Sequence, residues 1–192
     1  MPRPKVHDAA LRERLLDRAG ALLSDGGTDA LSLRALAQDC GTSTTAVYSL
    51  FGGKPALLDV LLDRAVHRLT GRLDAVDAAA DAGTDPLEHL RRLALAYRDA
   101  ALDDPRVYEV LSAAPPAAQA LRPIADAVRR ATTAGALRAG ADPSAVALAV
   151  QALVHGLVDL ELHGLAPAAD VAGALRAMLD GWRAPDYGTA PN

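Results

Sequence analysis

Cysteine is all but missing: Cys40 stands alone among 192 residues, so no internal disulfide can form and no oxidising compartment is required. Aromatic residues make up only 3%, and no alternating run of β-branched and aromatic residues reads as a strand. Lysine occurs only at Lys5 and Lys54, so arginine carries nearly all the positive charge. No uncharged apolar run reaches the roughly 18 residues of a membrane span. The richest, Ala145 to Val158, is bounded by Pro143 and Asp159. The start, Met1-Pro2-Arg3-Pro4-Lys5, leads into a charged segment rather than an apolar signal core, which points to a cytoplasmic protein. There is no repeat, nucleophile elbow, phosphate loop, metal cluster or pair of catalytic carboxylates. The expectation is a chain that is not an enzyme and needs no cofactor and no metal.

What is present is apolar and helix-forming. Hydrophobic residues reach 51%, enough for a substantial core, and Ala, Leu and Arg dominate. The net charge of −4 is unevenly spread. Residues 1–54 carry seven Lys/Arg against six Asp/Glu, and residues 55–192 carry thirteen against eighteen. A near-neutral head on an acidic body suits a head that alone faces a polyanion.

The punctuation predicts an all-α chain of about nine helices. The first runs from Asp8 to Ser24, with Leu11, Leu15, Leu16, Ala19, Leu22 and Leu23 on one face, and ends at Gly26-Gly27. Ser32 caps a short helix from Leu33 to Asp39, Gly41 breaks the chain, and Ser43 or Thr44 opens a third helix ending near Phe51-Gly52-Gly53. A long helix follows from Lys54 to Asp77, then a hinge at Ala79–Thr84. Asp85-Pro86-Leu87-Glu88 reads as a cap, a proline at the first helical position and a capping-box glutamate. Asp104-Pro105 and Asp142-Pro143 repeat the cap-plus-proline start. Pro115-Pro116 stops one helix, another spans Ala117 to Leu137, and Pro167 opens the last. The tail beyond Arg183 is expected to be disordered.

Leu31 to Phe51 carries the strongest signal. Leu33, Leu36 and Ala37 form the inner face of one helix, and Ala46, Val47 and Phe51 that of the next. The outer face of the second then shows Ser43, Thr44, Thr45, Tyr48 and Ser49, short polar groups at a helix N-terminus that suit a major groove. The same groups also fit a plain solvated face, with Tyr48 as core and only its hydroxyl exposed. The spacing Ser32, Leu36-Ala37, Gly41-Thr42-Ser43, Tyr48, Phe51, Lys54, Leu57-Leu58 resembles the helix-turn-helix head of the tetracycline-repressor (TetR) family over about Asp8 to Leu62. The resemblance implies phosphate contacts from Tyr48 and Lys54, and base or phosphate contacts from Ser43, Thr44, Thr45 and Ser49. Arg34 and Thr42 join them as candidates for the DNA face. Leu50 departs from the family's aromatic or histidine two residues after the tyrosine.

The rest of the chain resembles a C-terminal subtype of that family named for a Trp-His-Gly motif, through 96–108 and 153–162. Val154-His155-Gly156 stands at the motif and lacks its tryptophan. The division expected is a three-helix head, 1–54, a ligand-binding and dimerisation body, 55–185, and a disordered tail, 186–192. Ala145–Val158 is apolar on nearly all sides and needs covering on both faces. One face can pack on the body's own core and a homodimer would cover the other, with Ala149, Leu153, Leu175, Met178, Leu179 and Trp182 as interface candidates; a single large buried core helix is the alternative. Tyr97, Tyr108, Leu111, Val154, His155 and Val158 are candidates for lining an effector site, each equally readable as core. The function implied is a ligand-responsive repressor of a palindromic operator. A ligand carrier with an inert head, or a helical adaptor, are the alternatives that a DNA-binding measurement separates.

Overall fold

A computed structural model describes residues 5–81, 83–112 and 121–187, and within them the chain forms nine helices and no strand. They are α1 (Lys5–Ala30), α2 (Leu33–Asp39), α3 (Thr44–Phe51), α4 (Lys54–Ala78), α5 (Pro86–Asp103), α6 (Pro105–Ser112), α7 (Arg122–Thr133), α8 (Pro143–Leu162) and α9 (Ala168–Trp182). The chain divides into two compact units. The first runs to His67 and resumes at Asp104, and the second takes Arg68–Asp103 and the described residues after α6. The helix α4 contributes its N-terminal part to the first and its C-terminal part to the second.

The first unit packs α1, α2, α3, the start of α4 and α6. Its core is Leu15, Leu16, Ala19 and Leu23 of α1 with Leu36, Val47, Phe51 and Leu57. These apolar positions recur every three or four residues, so each helix turns one stripe inward. The α1 span is longer than expected because helical hydrogen bonding resumes past Gly26-Gly27, whose backbone is itself non-helical. The α6 helix lies against α1, burying Val107, Tyr108 and Leu111. Asp104 anchors its start: one carboxylate oxygen accepts from the Val107 amide at 3.3 Å and the other from the Ser24 hydroxyl at 2.7 Å.

The second unit joins the end of α4 to α5, α7, α8 and α9, with Leu73, Leu90, Leu93, Ile124, Val128, Val150 and Leu175 in its core. Asp85 accepts from the Leu87 amide at 3.3 Å and Asp142 from the Ser144 amide at 3.1 Å, so both are caps as expected. The capping-box role of Glu88 is corrected. Its carboxylate takes both Arg91 nitrogens at 2.7 Å and Arg92 Nε at 3.3 Å, because paired guanidinium donors bind a carboxylate more strongly than one backbone amide. The α7 helix ends at Thr133 rather than near Leu137, where Gly135 takes a left-handed φ of 71°. The chain past α9 stays tied down for a few residues: Arg138 N donates to Trp182 O and Ala184 N to Ala136 O, each at 2.8 Å. The expected proline stop at 115–116, the start at 117 and most of the expected tail (188–192) lie outside the described residues.

Candidate functional site

The helix-turn-helix is built from caps and a glycine turn. Ser32 Oγ accepts from the Ala35 amide at 3.4 Å and starts α2, and Ser43 Oγ accepts from the Ala46 amide at 3.1 Å and starts α3. Between them Gly41 turns at φ 64°, a conformation that a side chain would strain. Because Val47 and Phe51 are buried, the opposite face of α3 presents Thr45, Tyr48 and Ser49 to solvent. Tyr48 is 54% exposed, which sets aside the reading of it as a core residue. Arg34 and Ser43 are exposed as well, while Thr42 and Thr44 are half-buried.

The scaffold behind this face is cross-braced. Arg18 bonds Asp39 at 2.7 Å, joining α1 to α2, and Arg64 bonds Glu13 at 3.0 Å, joining α4 to α1. Lys54 Nζ donates to the Thr28 carbonyl oxygen at 2.6 Å. The residue singled out for phosphate contact therefore also secures the end of α1 to the start of α4. Arg12 lies over the Phe51 ring, 5.3 Å from its centroid. Cys40 Sγ donates to the Arg14 carbonyl at 3.7 Å, and burial raises its thiol pKa, the opposite of what a reactive thiolate needs.

In the second unit, α5 and α8 bring Tyr97 and His155 together. The hydroxyl and Nε2 are 3.1 Å apart, with the rings 5.1 Å between centroids and inclined at 57°. Burial lowers the His155 pKa, because the charged form loses its hydration there. Val154 and Val158 are buried on the same helix. Tyr108 and Leu111, expected in the same group, belong to the first unit and pack with α1. The α8 helix turns Val146, Val150, Val154 and Val158 inward and presents Leu148, Ala152, Gly156 and Leu160 outward, with Leu148 66% exposed. By length and composition alone, with a mean hydropathy of 1.6, it passes as long and apolar enough to cross a bilayer, although its uncharged run stops at Val158, before Asp159 and Glu161, as the sequence predicts. Of the interface candidates, Ala149, Leu153, Met178 and Trp182 are half-buried. Leu175 and Leu179 are corrected: at 0% and 3% exposure they belong to the unit's own core, because α9 packs that face on α5 and α8.

A cluster that the sequence did not reveal joins three helices of this unit. His89 Nε2 lies 2.8 Å from an Asp77 carboxylate oxygen, and Arg130 pairs with the same oxygen. The three residues line a cleft of about 430 Å³, with Asp81, Pro86 and Ala127 among its other walls. The separations of twelve and fifty-three residues carry no local pattern, so only the packing of α4, α5 and α7 assembles it. Among the described residues no group of three or more His, Cys, Asp or Glu side chains is placed to hold a metal.

Comparison with known proteins settles the family. Residues 15–61 match the model of the tetR family of bacterial regulatory proteins, and residues 90–182 match a tetracyclin repressor-like C-terminal domain. The chain belongs to the tetR family. Its N-terminal match covers the helix-turn-helix described above, and its C-terminal match is to a tetracyclin repressor-like domain and does not identify the Trp-His-Gly subtype. A protein of unknown function from Rhodococcus sp. RHA1 is 30% identical, with 90% of this chain and 95% of that one aligned at a TM-score of 0.79. The regulatory protein SCO4313 is 28% identical over 94% and 98% of the two chains, at a TM-score of 0.69. A TetR-family transcriptional regulator from Rhodococcus sp. shares the fold at 20% identity, with 91% and 98% covered and a TM-score of 0.65. No curated protein matches the chain. This TetR-family chain is thus a transcriptional regulator with a DNA-binding N-terminal part and a ligand-binding C-terminal part.

Proposed function

We propose that this regulator is a cytoplasmic homodimeric repressor, not an enzyme, that binds a palindromic operator and is released by a small molecule held in its C-terminal part. The observation that carries the reading is the exposed face of α3, where Thr45, Tyr48 and Ser49 stand clear of solvent-excluding neighbours on a helix fixed by the Ser43 cap. Hydroxyl groups there suit base edges and phosphates, and the first-turn amides favour a phosphate. The head, 1–54, reads the DNA through these groups with Arg34, Thr42, Ser43, Thr44 and Lys54. The body, 55–185, takes the effector and pairs with a second copy.

The outward stripe of α8 supports the dimer. Leu148, Ala152, Gly156 and Leu160 recur every four residues, and small residues between larger ones let two helices approach closely. Ala149 and Leu153 adjoin that stripe on the same helix, and Met178 and Trp182 are half-buried on α9. A two-fold dimer presents two α3 helices to successive major grooves about 34–36 Å apart. Effector binding alters α4, which runs unbroken from Lys54 to Ala78, and thereby the spacing of the heads. Such coupling is typically about 1–3 kcal/mol. Tyr97, Val154, His155 and Val158, all in the second unit, are the candidate effector contacts.

Selection of bound duplexes from a random DNA library, at two salt concentrations, tests the reading. Enrichment of a palindrome with half-sites about one helical turn apart supports it. Weak retention with no enriched sequence would favour a ligand carrier or adaptor.

A further inference from the structure

The cleft at Asp77, His89 and Arg130 is more than a brace. Two carboxylates, Asp77 and Asp81, and one guanidinium, that of Arg130 paired with Asp77, line a cleft of about 430 Å³, a volume within the range of small-molecule sites. Asp81 is exposed, and its carboxyl lies below the usual range because the Thr84 hydroxyl donates to it at 2.7 Å, so it stays charged. Asp77 holds two partners of unlike character. His89 is 6% exposed and fixed in place, whereas the Arg130 side chain is 50% exposed and reaches the carboxylate from solvent. An exposed ion pair of that kind contributes little and exchanges readily. His89 Nδ1 is buried without a partner among the described residues, so this imidazole is held for its Nε2 contact with Asp77 rather than by bonding on both edges. Pro86 and Ala127 add apolar wall beside the charged groups. The surrounding chain is acidic, thirteen Lys/Arg against eighteen Asp/Glu over residues 55–192, which steers cations toward it.

We infer that this cleft binds a small organic cation, an amine or amidine with an apolar body, whose charged head takes the place of Arg130 on Asp77 while Asp81 faces it. Arg130 is then the internal stand-in for the ligand. An anion would have to displace Asp77 and meet Asp81, so the cleft selects against it. The inference rests on the reading of the second unit as the effector-binding part, and it assigns that part a ligand charge and a site apart from Tyr97 and His155.

Benzamidine and benzoate, a cation and an anion of similar size, are the probes, titrated calorimetrically into the full chain. Saturable benzamidine binding is expected, with none for benzoate. Asp77→Asn should weaken benzamidine about tenfold or more. Since that variant also loses its contacts to His89 and Arg130, Asp81→Asn, on an exposed side chain, is the second test and should weaken binding too. Arg130→Ala should tighten it, because the competitor is gone, whereas a merely structural arginine would leave affinity unchanged or lower it. No saturable uptake of benzamidine, binding indifferent to both aspartates, or weaker binding in Arg130→Ala overturns the site. The two readings separate cleanly: an Asp77-dependent benzamidine site in a protein with no DNA affinity supports the cleft and sinks the regulator reading, and sequence-specific DNA binding without benzamidine uptake overturns the cleft alone.

Discussion

Lys54 Nζ donates to the carbonyl oxygen of Thr28 at 2.6 Å, tying the first residue of α4 to the last turn of α1. An ammonium has three donors, so one bond to the scaffold leaves two for a phosphate. Lys54→Ala is therefore expected to do two things. It should lower the stability of the protein by about 1 kcal/mol in urea melts, since the Thr28 carbonyl loses its charged donor and keeps only the Leu31 amide at 3.3 Å. It should also weaken binding to all DNA sequences alike and reduce the salt slope by about one. Wild-type DNA affinity in a destabilised variant would confine Lys54 to the scaffold.

Tyr48 separates affinity from stability. Its ring is 54% exposed on the outer face of α3, so Tyr48→Phe should change stability by no more than about 0.5 kcal/mol. Fluorescence anisotropy should nonetheless show weaker DNA binding. Thr45→Ala, on the same face, should alter which sequences are selected, by about 1–3 kcal/mol at the base it meets. An unchanged selected sequence in that variant would remove Thr45 from base recognition.

The outward stripe of α8 predicts the oligomeric state. Leu148 is 66% exposed, so Leu148→Glu removes nothing from the unit's own core. Light scattering should show a dimer for the wild-type protein and a monomer for the variant, with helix content preserved. A dimer that survives Leu148→Glu would move the interface elsewhere.

His155 predicts an acid sensitivity. Burial lowers its pKa in the folded chain below the ordinary 6.5, so the unfolded chain binds the proton more readily. The stability this histidine gives is present above about pH 6.5 and is lost as the pH falls through the folded-state value. His155→Gln keeps a polar partner near Tyr97 and should flatten the stability profile on that side of neutrality. An unaltered profile would place the acid loss on other groups. Glu88 acts lower still. The Arg91 guanidinium, with Arg92, brings its pKa down from 4.5 to about 2, so its contribution is kept above about pH 4.5 and disappears toward pH 2. Glu88→Gln should remove that lower phase and leave the one near neutrality.

The recognition unit was legible because its chemistry is local. Ser32 and Ser43 cap helices three residues ahead of the amides they bind, Gly41 turns where a positive φ is needed, and the alternation of buried Val47 and Phe51 with exposed Tyr48 follows from the helical period alone. The Asp-Pro starts at 85, 104 and 142 were readable for the same reason, since a cap and its amide lie within three residues. Glu88 misled because a capping box and an arginine pair use the same position, and only side-chain geometry chooses between them.

What the sequence by itself determined is the helical architecture, the caps and the outer face of α3, all set by interactions within a turn or two of chain. What only the tertiary structure decided are the relations between distant segments: α6 buried on α1, Leu175 and Leu179 turned into the core, Tyr97 against His155, and Asp77 shared by His89 and Arg130. A helix's period fixes which residues share a face, but which face meets which neighbour depends on how the apolar stripes of all the helices are buried at once.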